Sequence, residues 1–364
     1  MSEANIKLSR RIFYLLIFAS IILAGTMLKI LESFMKPVVL SILLASIFYP
    51  LVKKLNNKFR IPWLAGIILV YAVFLIIFTG IFNILTSSII SIAKSYPRYE
   101  ERFRLIYRRL QDSLAANSDS SLFQAFLNFD KEQSLLENLS AHLNILPMLR
   151  NFTLNFTTFT VSFFKSTFLV LLLSIFLLLE MKFIKAKVSA AFSNEDSARI
   201  HEIMNRIARD TTHYISIKSA ISLATGILVF LSCIIAGVDF PLVWAFIAFI
   251  LNFVPTFGSI ISWAATSVFA FMQSYPSPFP IIFIASSILI INIVLGNIVE
   301  PKIEGENLGV SPFVILVSLS LWGWLWGFLG LILAVPLVVI IKIFCENISY
   351  LRPIGILFGS GKNL

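Results

Sequence analysis

The sequence predicts an all-α integral membrane protein with about eight hydrophobic blocks, two of them broken into re-entrant hairpins. Composition is the first observation: 58% of the 364 residues are hydrophobic and 13% are charged, whereas a soluble domain carries about 25% charged residues. The second is that residues 240–299 and 311–341 contain no Asp, Glu, Lys, Arg or His, enough for several crossings of a hydrocarbon core ~30 Å thick. The third is that proline, glycine and polar residues interrupt two of these uncharged blocks.

The charged residues flank the apolar runs, although the formal net charge of +10 is strongly basic. A nucleic-acid surface interleaves basic and aromatic residues, and the sequence does not follow that pattern. We therefore expect the partner to be the lipid bilayer and expect no nucleic acid. Cys233 and Cys345 lie in or at the end of apolar segments and match no metal or redox spacing, so we expect no metal and no cofactor.

The first hydrophobic block follows Lys7, Arg10 and Arg11, as in a signal peptide, but it lacks a convincing small-residue cleavage site. We therefore interpret it as an uncleaved first span. The eight blocks, in order, are 12–31, 35–52, 63–90, 154–179, 214–236, 240–273, 279–299 and 312–344. They divide the chain into N-terminal transmembrane helices (1–90), an external amphipathic helical insert (91–150), transmembrane helix 4 (151–180), a cytoplasmic interfacial helix (181–213), a transport core with broken helices (214–345) and a cytoplasmic tail (346–364).

Lysine and arginine in the short loops predict the orientation, because such loops stay on the cytoplasmic side. Four basic residues at 53–60 follow the second span, and three at 182–187 follow the fourth. Both loops are therefore predicted to be cytoplasmic, together with the N- and C-termini.

Two amphipathic stretches lie outside the spans. In the insert, Phe103, Ile106 and Tyr107 repeat at helical spacing beside arginines. This predicts a helix that packs on the membrane face or on a neighbouring subunit, or one that gates substrate access. The interfacial helix is predicted to begin near Ser193 and Asn194, with acidic residues in its first turn.

The block at 240–273 is too long for one simple crossing, because a straight helix of its 34 residues would extend about 50 Å. Split at Pro255, it has arms of 15 and 18 residues, which are a little short for two full crossings. A re-entrant hairpin fits better. The block at 312–342 repeats the arrangement, with glycines at its centre and Pro336 beyond them.

Interrupted segments in corresponding positions are typical of secondary transporters, whose solute sites lie near the bilayer midplane. Non-helical backbone at that depth is tolerated only where protein or water satisfies its polar groups. The predicted solute-binding residues are Asn252, Pro255, Thr256, Gly258, Asn292, Asn297, Gly327 and Gly330. Two alternatives stay open: the glycines at 327 and 330 are close-packing contacts, and the asparagines at 292 and 297 are interhelical hydrogen-bonding residues.

Lys218 is a cation early in the fifth span. It is either a charge partner in the transport pathway or an anchor at the cytoplasmic side whose side chain reaches the interface.

Several short motifs together resemble the autoinducer-2 exporter superfamily of bacterial permeases, with good coverage over 200–345. They are Asn252-Phe253-Val254-Pro255 with Gly258, Gly296-Asn297 with Pro301-Lys302-Ile303 and Gly305, Leu308 and Pro312, Gly327-Phe328-Leu329-Gly330, and Ala334-Val335-Pro336. The structural motif positions are Pro301, Gly305, Pro312 and Pro336. The resemblance implies a multi-pass permease of the bacterial inner membrane, a homo-oligomer, related to proteins proposed to export the quorum-sensing furanone or to exchange cations for protons.

The function favoured by these observations is secondary transport of a small polar solute, such as a signalling molecule, coupled to protons or sodium. The alternatives are a monovalent cation/proton antiporter and a passive channel. Antiport is less favoured because its usual intramembrane carboxylate is missing from the span centres, and Glu180, Asp239 and Glu300 sit at span ends. An enzyme is not expected, since the sequence contains neither G-x-S-x-G nor H-E-x-x-H nor a paired intramembrane aspartate.

Overall fold

The computed structural model describes residues 19–20, 23, 25–115, 145–304, 309–348 and 350–359. Within these residues the fold is α-helical, as the composition predicts. The twelve α-helices are α1 (Glu32–Phe59), α2 (Trp63–Ala115), α3 (Ile145–Met181), α4 (Ile184–Ala191), α5 (Asn194–Ala236), α6 (Pro241–Leu251), α7 (Phe257–Ser274), α8 (Pro278–Asn292), α9 (Glu300–Glu304), α10 (Pro312–Trp326), α11 (Phe328–Asn347) and α12 (Arg352–Phe358). A π-helical segment, Ile293–Val299, joins α8 to α9.

Six stretches of the described chain are long and apolar enough to cross a membrane, which makes this a multi-pass membrane protein. They are Glu32–Phe59, Trp63–Ser88, Thr160–Met181, Asn194–Ala236, Pro278–Ile303 and Phe328–Asn347. Two shorter apolar helices, α6 and α10, belong to the two blocks that the sequence predicts to be broken. Half of the predicted first span, and residues 116–144 of the predicted insert, lie outside the described residues.

The chain forms two compact units. Unit 1 comprises Met1–Tyr71, Ser166–Ile217 and Glu304–Leu364, and unit 2 comprises Ala72–Lys165 and Lys218–Ile303. Each unit therefore contains one of the two broken blocks.

In unit 2, α6 and α7 pack antiparallel on either side of a break at residues 252–256, and we call them the first helix pair. Next to the break, the Gly258 backbone lies against the Leu251 carbonyl. Further away, the rings of Trp244 and Phe269 lie 4.9 Å apart. A buried core of small and aliphatic residues supports the pair: Val229, Cys233, Ala236, Val238, Ala248, Ala270, Ile284 and Ile288.

Tyr99 lies on α2 beyond its apolar part and contacts the end of the first helix pair that is remote from the break. Its hydroxyl donates a hydrogen bond to Asp239 Oδ2 at 2.5 Å, and the Asp239 amide donates to Gln273 Oε1 at 2.8 Å. Burial, and then the bond to the Asp239 carboxylate, raise the pKa of Tyr99 above its ordinary value. The hydroxyl therefore stays protonated and remains a donor at neutral pH.

In unit 1, α10 and α11 form the second helix pair, which breaks at a single residue. Gly327 has φ 66° and ψ −142°, a conformation that only glycine adopts without strain. The Ser318 hydroxyl donates to the Ala334 carbonyl at 2.9 Å, and the Gly330 backbone lies against the Trp322 carbonyl. These partners are equally distant from residue 326 along the chain, so the two helices are antiparallel.

Two helices continue past the predicted limits of their spans. The 53-residue α2 extends from the third span into the predicted insert. The 43-residue α5 begins at Asn194, where the Ser193 hydroxyl accepts from the Asp196 amide at 3.3 Å, and it includes the fifth span. No glycine or proline occurs in α5 before residue 226, so nothing local separates the predicted interfacial helix from that span.

Candidate functional site

Unit 2 contains a polar cavity of about 310 Å³ beside the break of the first helix pair. The lining residues come from α5, the break, α7, α8, the π-helical segment and α9: Lys218, Asn252, Pro255, Thr256, Ser259, Ile260, Trp263, Leu289, Asn292, Ile293, Gly296, Asn297 and Glu300.

The break supplies polar groups to the cavity wall while satisfying its own backbone. The Asn252 amide donates to the Ala248 carbonyl at 3.0 Å, and the Val254 amide donates to the Leu251 carbonyl at 2.9 Å. These turn bonds close the C-terminal end of α6, whose last carbonyls would otherwise lack partners. Asn252 is only 6% exposed, and its side chain donates to the Ser222 hydroxyl at 3.0 Å. Thr256 has a positive φ of 63°, which is uncommon for a β-branched residue.

Gly258 permits the close approach of the two helices and does not line the cavity. A Cβ atom at this position would lie 1.7 Å from the Leu251 carbonyl oxygen. Only glycine therefore fits the backbone as it stands, and the role of Gly258 in this structure is packing.

Lys218 and Glu300 form an ion pair in the cavity wall, with the lysine Nζ hydrogen-bonded to Glu300 Oε1. Their side chains are 3% and 14% exposed, respectively. Removing two charges from water costs several kcal/mol per ion unless they compensate each other. The pair therefore leaves the cavity with a formal charge of zero, and Lys218 has a buried counter-ion where the anchor interpretation expects an exposed ammonium.

The π-helical segment forms the opposite part of the lining. Asn292 lies at its start, and its side-chain amide donates to the Ser259 carbonyl at 3.3 Å. Gly296 and Asn297 lie within the segment. A π-helix widens the turn, and such segments occur frequently at functional sites. Asn292 both joins two helices and lines the cavity, so its two predicted roles are compatible.

The structure brings six of the predicted residues into one cavity: Lys218, Asn252, Pro255, Thr256, Asn292 and Asn297. Gly327 and Gly330 lie in unit 1, in the second helix pair. Of the predicted motif positions, Pro301 lies in α9, Pro312 begins α10 and Pro336 lies inside α11. Gly305 lies outside the described residues.

Sequence reasoning missed Ser222, Ser259, Trp263 and Glu300 as cavity or supporting residues. Glu300 follows Lys218 by 82 positions, and no local pattern connects them. A signal was nonetheless present, because a lysine inside an apolar span needs a counter-charge. Asp239 and Glu300 are the only acidic residues of the sequence at 219–303, so a counter-charge from this segment had to be one of the two.

Comparison with known proteins gives a consistent result over nearly the whole chain. A Borreliella burgdorferi protein, named only as a transport protein, is 30% identical over 353 residues, covering 97% of this chain and 91% of its own. A Haemophilus influenzae transport protein is 31% identical over 332 residues, covering 90% of each chain. The AI-2 transport protein TqsA of Escherichia coli is 28% identical over 342 residues, covering 93% of this chain and 92% of its own.

The family model described as AI-2E family transporter matches residues 12–350. That range includes the apolar spans, both helix pairs and every residue that lines the polar cavity. The chain is therefore a multi-pass membrane transport protein that belongs to the AI-2E transporter family.

Proposed function

We propose that this protein is a secondary transporter that moves a small polar solute through the cavity in unit 2. The observation that carries the proposal is the convergence of amides, hydroxyls and one buried ion pair on a cavity beside the uncharged helices α6, α7 and α8. Polar groups at membrane depth are costly, so their concentration in one cavity supports a solute pathway.

The chemistry of the lining supports a neutral or zwitterionic solute. Lys218 and Glu300 compensate each other, so a singly charged solute would leave one buried charge without a partner. Asn297, Thr256 and Ser259 offer both donors and acceptors. Trp263 adds an aromatic ring to the lining, and its indole N–H donates a hydrogen bond to the Ala285 carbonyl at 2.8 Å.

AI-2, the solute in the name of the Escherichia coli relative, is the first probe for this proposal. The purified protein in sealed proteoliposomes should move AI-2 or another small polar solute, and the flux should respond to a proton or sodium gradient. Asn297→Ala should lower the flux about tenfold or more, since a lost solute contact leaves buried polar groups unpaired. Asn83→Ala is the matched control, because Asn83 lies exposed on the apolar part of α2. Equal flux through both variants would remove the cavity from the pathway.

Monovalent cation/proton exchange is a second candidate, favoured by the Lys218–Glu300 pair. A cation at Glu300 could replace the lysine ammonium, which would then release its proton, and the cavity would stay neutral. Pulses of Na⁺, K⁺ or Li⁺ should then alkalinise or acidify vesicles that contain a pH dye, and Glu300→Gln should abolish the signal. A cation-insensitive signal together with solute flux would favour the first candidate.

For the topology, we propose that both helix pairs are re-entrant hairpins. The support is the length of the first arm of each pair: the 11 residues of α6 and the 15 of α10 give about 16 and 22 Å, short of a ~30 Å core. The longer α11, which has the length of a span, would return antiparallel to α10 and end on the side from which α10 enters. The predicted inner-membrane location, the cytoplasmic termini and the homo-oligomeric state belong to the same proposal.

A further inference from the structure

We propose that the break of the second helix pair is a binding site for a monovalent, ammonium-type cation, and that the side chain of Lys29 occupies this site as a tethered ligand. Lys29 belongs to the helical residues 25–30 that precede α1. The inference concerns unit 1 alone and does not depend on which solute the protein transports.

Three oxygen atoms lie around the Lys29 ammonium. Its Nζ donates to the Leu325 carbonyl at 2.7 Å and lies 3.4 Å from the Trp324 carbonyl. Glu32 Oε2 lies 2.8 Å from the same nitrogen. Two main-chain carbonyls and a carboxylate therefore converge on one cation, from α10 on one side and from the start of α1 on the other.

The two carbonyls, at Trp324 and Leu325, require a hydrogen-bond donor from outside their helix. They belong to the last turn of α10, which ends at Trp326, and carbonyls in a last helical turn have no intrahelical amide available. The negative end of the helix dipole lies at the same place and favours a cation. In the first helix pair, by contrast, the five-residue break provides amides to the α6 carbonyls. The one-residue break at Gly327 provides a single amide, which donates to the Gly323 carbonyl at 2.8 Å and not to the carbonyls at 324 and 325.

The Lys29 ammonium, which occupies the site, is attached to the main chain by a flexible stem. A lysine side chain has four methylene groups and a strongly hydrated head, and that of Lys29 is 46% exposed. Its ammonium can therefore leave the carbonyls while the main chain stays in place, and a free cation of similar size can take its position.

The test measures opening of the break in the full-length protein, purified in detergent. A single cysteine replaces Leu325, whose side chain is 1% exposed, in a Cys233→Ser and Cys345→Ser background. Its reaction rate with a water-soluble maleimide reports how often the break opens. Lys29→Ala should raise this rate about fivefold to tenfold, the range expected for a charged hydrogen bond at a partly exposed site.

Methylammonium is the probe for the vacated site. At about 100 mM it should lower the rate in Lys29→Ala toward that of the parent. Tetramethylammonium carries the same charge without N–H donors and should have no effect. Lys36→Ala is the matched control, because Lys36 pairs with the same Glu32 carboxylate at 2.5 Å while the Lys29 contacts remain.

An unchanged rate in Lys29→Ala would overturn the proposal, as would a raised rate that methylammonium does not lower. If Lys29→Ala does not yield folded protein, Lys29→Gln keeps most of the side-chain length without the charge and takes its place. Equal restoration by both ammonium ions would indicate a general salt effect and would also overturn the proposal.

Discussion

Replacing Gly258 by alanine should destabilise the first helix pair strongly, although it adds only one methyl group. The added Cβ would lie 1.7 Å from the Leu251 carbonyl oxygen and 2.5 Å from its carbon, whereas ordinary contacts begin at 3.4 Å. The two backbones would have to separate by about 1.7 Å, the difference between these distances. No rotation of a side chain relieves the overlap, because both partners are backbone atoms.

Overpacking of this kind costs about 3 kcal/mol or more, and we expect the midpoint of thermal unfolding in detergent to fall by roughly 5–10 °C. Gly296→Ala is the matched control. Gly296 lines the cavity, but a Cβ atom at this position would meet nothing within 4 Å. The free energy of unfolding of Gly296→Ala should therefore stay within about 0.5 kcal/mol of that of the parent protein. The reasoning is refuted if Gly258→Ala unfolds at the parental temperature, or if both variants lose stability equally.

Three further predictions concern single contacts and the topology. Lys218→Met and Glu300→Gln should each lower the free energy of unfolding by about 3–5 kcal/mol, and the double variant should lower it much less, because only the single variants bury an uncompensated charge. Additive losses of stability in thermal unfolding would contradict this. Tyr99→Phe should cost about 1–3 kcal/mol, since it removes the donor to the Asp239 carboxylate, and hydrogen exchange at the remote end of the first helix pair should accelerate. Because folding raises the Tyr99 pKa, the contribution of this hydrogen bond to stability should be complete below pH ~10 and should be lost as the pH rises further. A loss of this contribution on acidification from pH 10 to pH 7 would contradict the prediction. A single cysteine at Glu304 should resist an impermeant thiol reagent in intact cells and react in inverted vesicles, whereas labelling from outside would contradict the re-entrant hairpins.

Hydropathy and helix-breaking residues made much of the fold predictable. Apolar length alone identifies the spans after the first, and Pro255 among polar residues identifies the break between α6 and α7. The predicted arm of 15 residues is an 11-residue helix, because the break begins already at Asn252. The sequence pattern does not distinguish a five-residue break from the single glycine at 327, since each is marked only by a few glycine, proline or polar residues in an apolar block.

The candidate site was predictable only where its residues are close in sequence. Asn252, Pro255 and Thr256 belong to one stretch, and their contribution to a cavity follows from the unsatisfied backbone of a broken helix. The Lys218–Glu300 pair depends on the tertiary packing of α5 against α9, which no local pattern encodes. The role of Gly258 likewise follows from an interatomic distance and not from its residue type.

The π-helical segment between α8 and α9 is a widened stretch of helix next to the Lys218–Glu300 ion pair. Its hydrogen bonds skip one more residue than those of an α-helix, so a return to the α-helical pattern would rotate the following residues by about 100°. Glu300 directly follows the segment, and such a rotation would turn its carboxylate away from Lys218 without breaking a helix or moving α8. The position of the ion pair in the cavity wall is therefore tied to the backbone geometry of the π-helical segment.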